Sequence, residues 1–430
     1  MPAKKKFFKI SDVDHFFYQA ALWANQYDHF CLLQPSQQKY PHGTFQRMLA
    51  ADAQRVIKPK ERGNFQYLNQ EINNNKNWLF GHLTYDLKNE TEDLNSLNKA
   101  RVAFPEISFF QPRHLISEGN DGVYLESDDA PEDIFEKILR YNIALPSNSL
   151  EIDVMCDTTR EQYIDTVEKL KHHIEEGDIY EINYCINYYG KIRINNSVTL
   201  FQELMRISPN PFSAFYKVKD KYALCASPER FLKKRGDKII SQPIKGPSPR
   251  GTTHQTGVAA QRILHISDKE RAENMIIVDL VRNDLAKSFK SGSVKVEEMF
   301  GIYTFPQLHQ MISTVTGILK DDKTAVEAIK NAFPMGSMTG APKIKVMELI
   351  EKYERSKRSL FSGSIGYFTP DNDFDFNVII RSLMIDTTHN LLSYSVGSAI
   401  TYDSQPLEEF QECNLKAQAI QNLLTGKNKN

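Results

Sequence analysis

Apolar and polar residues alternate most cleanly between Tyr180 and Tyr188. Tyr180, Ile182, Tyr184, Ile186 and Tyr188 fall on one face of a predicted strand, and Glu181, Asn183, Cys185 and Asn187 on the other. A polar strand face usually meets solvent; less often it lines a polar cavity. The preceding TTREQYIDTVEKLKHHIEEG has the 3.6 period instead, with Tyr163, Val167, Leu170 and Ile174 on one stripe and Gly177 placed to end the helix. Further helices are predicted over 11–25 (Ser11 as N-cap), 130–142, 267–289 (Ser267 and Glu270 as a capping box), TAVEAIKNAF, KIKVMELIEKYE and 404–424. Strand patterns recur at 29–33, 77–87, 212–218, 222–226, 292–300 and 309–319. The chain closes on a meander of SGSIGYFT, FDFNVIIRSLMID and LLSYSVGSAI. ALPSNSLEIDV (144–154) reads as a connector, dividing a 1–150 region from a 151–430 region.

Composition narrows the picture by exclusion. The 430 residues carry 53 Lys plus Arg against 54 Asp plus Glu, so no global field draws in nucleic acid or an anionic membrane. No apolar run reaches bilayer length, and MPAKKKFFKI lacks the apolar core of a signal peptide. The five cysteines are scattered and never form a CxxC pair, which points to a reducing, cytoplasmic setting.

Candidate chemistry gathers around QPIKGPSPRG (242–251). Its prolines and glycines predict a stiff loop, too rich in both for a helix or a central strand, that presents Lys245, with Gly246 allowing close approach. Taken alone, such a lysine is most often a solvated charge. Glu270 and Glu273 lie one turn apart on the 267–289 helix, where acids also complement the dipole. Arg381 falls among apolar neighbours on the face of Ile379 and Leu383, and a buried arginine needs an anion. Thr339, Gly340 and Ala341 precede Pro342, which is expected just inside the next helix, so their N–H groups are expected to form an anion site. Glu408, Glu412 and Lys416 form an i, i+4, i+8 row, ordinarily a solvated ladder.

Taken together, these segments are more specific. ERAENMIIVDLVRNDL (270–285), FPMGSMTGAPKIKVMELI (333–350), GSIGY with DFDFNVIIRSL (363–383) and EEFQECNLKAQAI (408–420) resemble, in order, the signature blocks of the chorismate-utilising enzymes. CLLQPS (31–36) and WLFGHLTYDL (78–87) extend the resemblance more loosely into the N-terminal region. It implies an α+β fold of layered antiparallel sheets flanked by helices around a buried site, with chorismate as substrate and Mg²⁺ as cofactor. By the same resemblance Glu273 and Glu412 are metal ligands, with Glu270 supporting them. Arg381 grips a substrate carboxylate, Thr339, Gly340, Gly246 and Gly397 are substrate contacts, and Lys416 lies near metal and substrate. Glu229, in SPER, is the acid–base residue.

Within the family, PIKG is the form found in aminodeoxychorismate synthases, where anthranilate synthases have alanine for the lysine. The resemblance therefore implies Lys245 as a covalent nucleophile in replacing the C4 hydroxyl by ammonia, which requires a neutral amine and hence a depressed pKa. The alternatives are anthranilate synthase component I and a non-catalytic regulatory homologue. Three positions depart from the pattern: Glu181 stands for a usual glutamine, Pro247 for a threonine, and Ser398 with Ala399 for glycines. No cysteine sits in a G-x-C-x-G setting, so a separate glutamine amidotransferase subunit (component II) is the implied ammonia source. Feedback-inhibited relatives also bind tryptophan in the N-terminal region, where CLLQPS departs from the usual LL-acid-S.

Overall fold

The computed structural model describes residues 3–141, 152–250, 254–305 and 308–426; most of the 144–154 connector, with the 150/151 boundary, lies outside them. Twenty strands among these residues join through antiparallel pairings, with helices packed on the outside. The long strand Ile107–Gly119 is the junction. One of its edges pairs with Met48–Ile57; the other is shared between Leu79–Leu83 and Gly122–Ser127.

From that junction two sheets diverge. The first runs through Met48–Ile57, His29–Gln34, Ser213–Val218, Lys221–Cys225, Ser382–Asp386 and Leu391–Ile400 to Glu181–Lys191. The second runs through Leu79–Leu83, Ser364–Phe368, Phe374–Asn377, Arg230–Arg235 and Lys238–Gln242 to Leu308–Ile318 and Lys295–Thr304.

The period-2 pattern decides which core each side chain joins. Phe30 and Leu32 pack in one cluster with Phe16, Tyr163, Leu200 and Cys413 of the outer helices. Cys31 and Leu33 pack in the other, between the two sheets, with Phe80, Phe109, Phe231 and Ile312. The 181–191 strand obeys the same rule: Ile182, Tyr184 and Ile186 join the helix-side cluster. Its polar face is buried, with Glu181, Asn183 and Asn187 all at or below 7 % exposure. The less common of its two sequence readings is therefore the one the fold adopts.

Several expectations need correcting. Asp12, not Ser11, caps the first helix (Val13–Ala24), accepting from the His15 N–H. A helix at His254–Ile266 was not read from the sequence. FDFNVIIRSLMID is two strands, Phe374–Asn377 and Ser382–Asp386, broken at Val378–Arg381, where Arg381 has φ +51°. The lysine loop is itself a strand, Ile244–Pro249, paired among the described residues only with Leu308–Ile318. Its register slips between Lys245 and Ser248, around Gly246 at φ +64°. An edge position and a bulge are the two places where a strand tolerates this much proline. Pro247 falls outside the described side chains.

Candidate active site

A solvent-connected cavity opens between the two sheets, lined by charged and apolar side chains together. Nine of the predicted residues line it: Glu229, Lys245, Gly246, Glu270, Glu273, Arg381, Gly397, Glu412 and Lys416. They come from six segments of the chain, which only the completed fold brings together.

Lys245 leans on acids. Its Nζ lies 2.5 Å from Glu181 Oε1 and 3.8 Å from Glu273 Oε2. Burial alone would lower its pKa, but the Glu181 and Glu273 charges outweigh it and hold Lys245 above the ordinary lysine value. This is opposite to the depressed pKa expected for a nucleophile: the carboxylates stabilise the ammonium more than desolvation disfavours it. Glu181 is 1 % exposed, and its Oε2 has no hydrogen-bond partner among the described residues.

Glu229 is in the opposite state. Burial is the main cause that pushes its carboxyl up to about 7, against a hydrogen bond from Ser337 and the Lys245 charge. It is therefore an acid that holds a proton near neutrality. Arg381 is lowered to about 10 by desolvation, and no described acid pairs with it. The left-handed backbone at the strand break brings this guanidinium to the cavity wall. An arginine desolvated without a counter-ion is costly to the fold and ready for an anionic ligand.

The metal expectation can be tested on the donor set. Burial raises Glu273 to about 8, and burial followed by the Glu412 charge raises Glu270. Glu412 is lowered instead: Lys416, 2.6 Å away, outweighs its desolvation. Lys416 also donates to the Gly397 carbonyl at 2.9 Å, so Glu412 and Lys416 of the predicted row face the cavity while Glu408 stays exposed to solvent. Among the described residues no three side chains already converge as a cage. Mg²⁺ does not require one, since it takes one or two carboxylates and fills its other positions with water and substrate oxygens. A set of cavity carboxylates of which Glu412 is held charged, with Glu270 and Glu273 raised by burial, fits such an ion.

Thr339 and Gly340 do not line the cavity. The Thr339 N–H donates to the Gly336 carbonyl, its hydroxyl to Met335, and its carbonyl accepts from Asn183. Gly340 and Ala341 pair with Ile182 and Glu181, and Pro342 is the N-cap of Lys343–Tyr353 instead of its first residue. The expected anion site is thus spent on sheet pairing. Its physical role is to hold the 181–191 strand, whose Asn183 does line the cavity.

Sequence reasoning missed Ser337, Gln310 and Glu409, all cavity-lining. Ser337 lies inside a quoted motif and donates to Glu229 at 2.7 Å. Gln310, 3 % exposed, leaves its Oε1 without a partner among the described residues. Glu409, 1 % exposed, pairs with Lys269 at 3.1 Å; its neighbour Glu408 is exposed, and only the helix phase separates them. The Ser398 hydroxyl turns away to Tyr163 at 2.7 Å, so this departure leaves the cavity unchanged, whereas Ala399 adds a methyl to its wall. The CLLQPS segment lies elsewhere.

The sequence profile of the family described as chorismate binding enzyme matches residues 19–422. An aminodeoxychorismate synthase of Streptomyces griseus is 39% identical over 267 residues, covering 62% of this chain and 36% of that protein. This chain thus spans about a third of that relative's length. Aminodeoxychorismate synthase component 1 of Bacillus subtilis is 30% identical over 372 residues, covering 83% of this chain and 78% of that one. The crystal structure of anthranilate synthase component I from Streptococcus pneumoniae superposes with a TM-score of 0.75 at 22% identity, covering 89% of this chain and 95% of the other. No described helix is long and apolar enough to cross a membrane.

Proposed function

We propose that this chain, which belongs to the chorismate binding enzyme family, converts chorismate and ammonia into 4-amino-4-deoxychorismate, the precursor of 4-aminobenzoate in folate synthesis. The observation that carries the reading is Arg381, a desolvated guanidinium with no described acid partner. It lines the same cavity as Lys245, the protonated Glu229 and the carboxylates Glu270, Glu273 and Glu412. A dicarboxylate that must lose a hydroxyl needs these parts: a cation clamp, a metal site and an acid. The two relatives named aminodeoxychorismate synthase support the choice of branch.

In this reading Arg381 binds one substrate carboxylate. Glu273 and Glu412, supported by Glu270, hold Mg²⁺, which supplies positive charge for substrate oxygens when bound. Lys245 loses a proton, for which Glu181 Oε1 at 2.5 Å is the adjacent acceptor. Its amine forms a bond to ring carbon 2 as both ring double bonds shift by one position and the C4–O bond breaks. Glu229 gives its proton to the departing hydroxyl, which leaves as water. Ammonia then bonds to C4, both double bonds shift back, the C2–N bond breaks, and one ammonia proton is released. The balance is chorismate plus ammonia giving aminodeoxychorismate plus water. A glutaminase subunit supplies the ammonia, and ammonium salts replace it in vitro.

Chorismate consumption by the purified chain with Mg²⁺ and ammonium tests the assignment as an enzyme. Turnover that requires ammonium supports it; absence of turnover with intact fold would favour a ligand-binding homologue.

A further inference from the structure

Lys245 stands within reach of two carboxylates that have different tasks. Glu273 lines the cavity, while Glu181 sits behind Lys245, outside the cavity lining and almost wholly buried. The ammonium lies 2.5 Å from Glu181 and 3.8 Å from Glu273. We infer that Glu181 is a positioning residue that holds the Lys245 ammonium away from Glu273, leaving the Glu273 carboxylate open to a divalent cation. The inference rests on the reading of Glu273 and Glu412 as metal ligands.

Lysine and Mg²⁺ compete for the same lone pairs. An ammonium on a four-carbon stem settles on whichever anion it reaches with least loss, and in a desolvated wall it does not stay unpaired. Without Glu181, the next anion for Lys245 is Glu273, and a contact made there must be broken before metal enters.

Glu181 is suited to winning that contest because its backbone is fixed on both sides. The Tyr180 N–H donates to the Ala341 carbonyl at 2.7 Å and the Asn183 N–H to the Thr339 carbonyl at 2.8 Å. Arg358 Nη2 donates to the Asn183 carbonyl at 2.8 Å, and Glu354 pins that guanidinium in turn. A glutamine at this position would keep the shape and lose the charge. Lys245 is the ion-pair partner of Glu181 among the described residues.

Calorimetric titration of the full chain with Mg²⁺ alone, without substrate, tests this. Glu181→Gln should weaken Mg²⁺ binding about tenfold or more when Lys245 is present, and by about threefold or less in a Lys245→Met background. Glu181→Asp, which keeps the charge, should restore most of the affinity. Equal weakening in both backgrounds would mean that Glu181 acts only through its field and would overturn the inference, as would unchanged binding by Glu181→Gln. If the unmodified chain takes up no Mg²⁺, the metal reading itself fails, an outcome distinct from either of these. Circular dichroism on each variant separates lost binding from lost fold, and the aspartate variant keeps the test open if the glutamine variant unfolds.

Discussion

Ser337 Oγ donates to Glu229 Oε1 at 2.7 Å, and that carboxyl still holds its proton up to about pH 7. A hydrogen bond to the charged form normally lowers an acid; here burial outweighs it. Glu229 is protonated below about 7 and loses its proton as pH rises through that value, so the acid proposed for the departing hydroxyl disappears on the alkaline side. At constant free ammonia, kcat/KM should therefore fall with an apparent pKa near 7. Glu229→Gln should lower kcat by about 100-fold or more and remove that limb. Retention of the limb in the glutamine variant would assign it to another group.

Ser337→Ala should raise the same apparent pKa, since it removes a bond that favours the carboxylate. A downward movement would show that the hydroxyl stabilises the protonated form instead.

Arg381 makes a prediction in which stability and binding move in opposite directions. The fold bears its desolvation without a described acid to offset it. Arg381→Met should leave thermal stability unchanged or raise it by about 1 kcal/mol, while weakening chorismate binding about 100-fold. Calorimetry with chorismate and a melting curve read the two effects. A large loss of stability would mean that the guanidinium is a structural element.

Much of this arrangement was legible in the chain. The alternation over 180–188 placed Glu181 and Asn183 on a common face, and the resemblance picked out nine residues that do meet in one cavity. What sequence could not give was the sign of each environment. The nucleophilic role proposed for Lys245 calls for a low pKa, yet the fold surrounds it with carboxylates from distant segments. Prolines suggested a loop over 242–251, because a bulged edge strand such as 244–249 has the same local composition; only pairing with 308–318 distinguishes them. The donors of Thr339 looked free because their acceptors, the Gly336 and Met335 carbonyls, lie in the same tight turn. Strand alternation was extended through Arg381 because a one-residue left-handed break leaves no mark in composition.

The bulge itself is open to test at Gly246. Its φ of +64° is costly for any residue with a Cβ, and that atom would lie 2.8 Å from Glu270 Oε2 and from Leu264 Cδ1. Gly246→Ala should cost about 1–2 kcal/mol from backbone strain alone. By displacing Glu270 it should also lower chorismate turnover by more than that stability loss explains. Turnover at the unmodified level would show that the wall yields without consequence.

Arg230 follows Glu229 directly and anchors it. It is 1 % exposed and holds Asp375 through two bonds of 2.9 and 3.0 Å. Arg230→Met leaves Asp375 buried with Lys233, 3.8 Å away, as its remaining cation among the described residues, so it should destabilise by about 3–5 kcal/mol in chemical denaturation. A cost below about 1 kcal/mol would show that Lys233 takes over the pairing.

The central claim concerns which product this cavity makes. Chorismate, Mg²⁺ and ammonium should yield a product that gives no anthranilate fluorescence and becomes 4-aminobenzoate only when aminodeoxychorismate lyase is added. Direct appearance of anthranilate, with pyruvate released and no lyase present, would contradict the account.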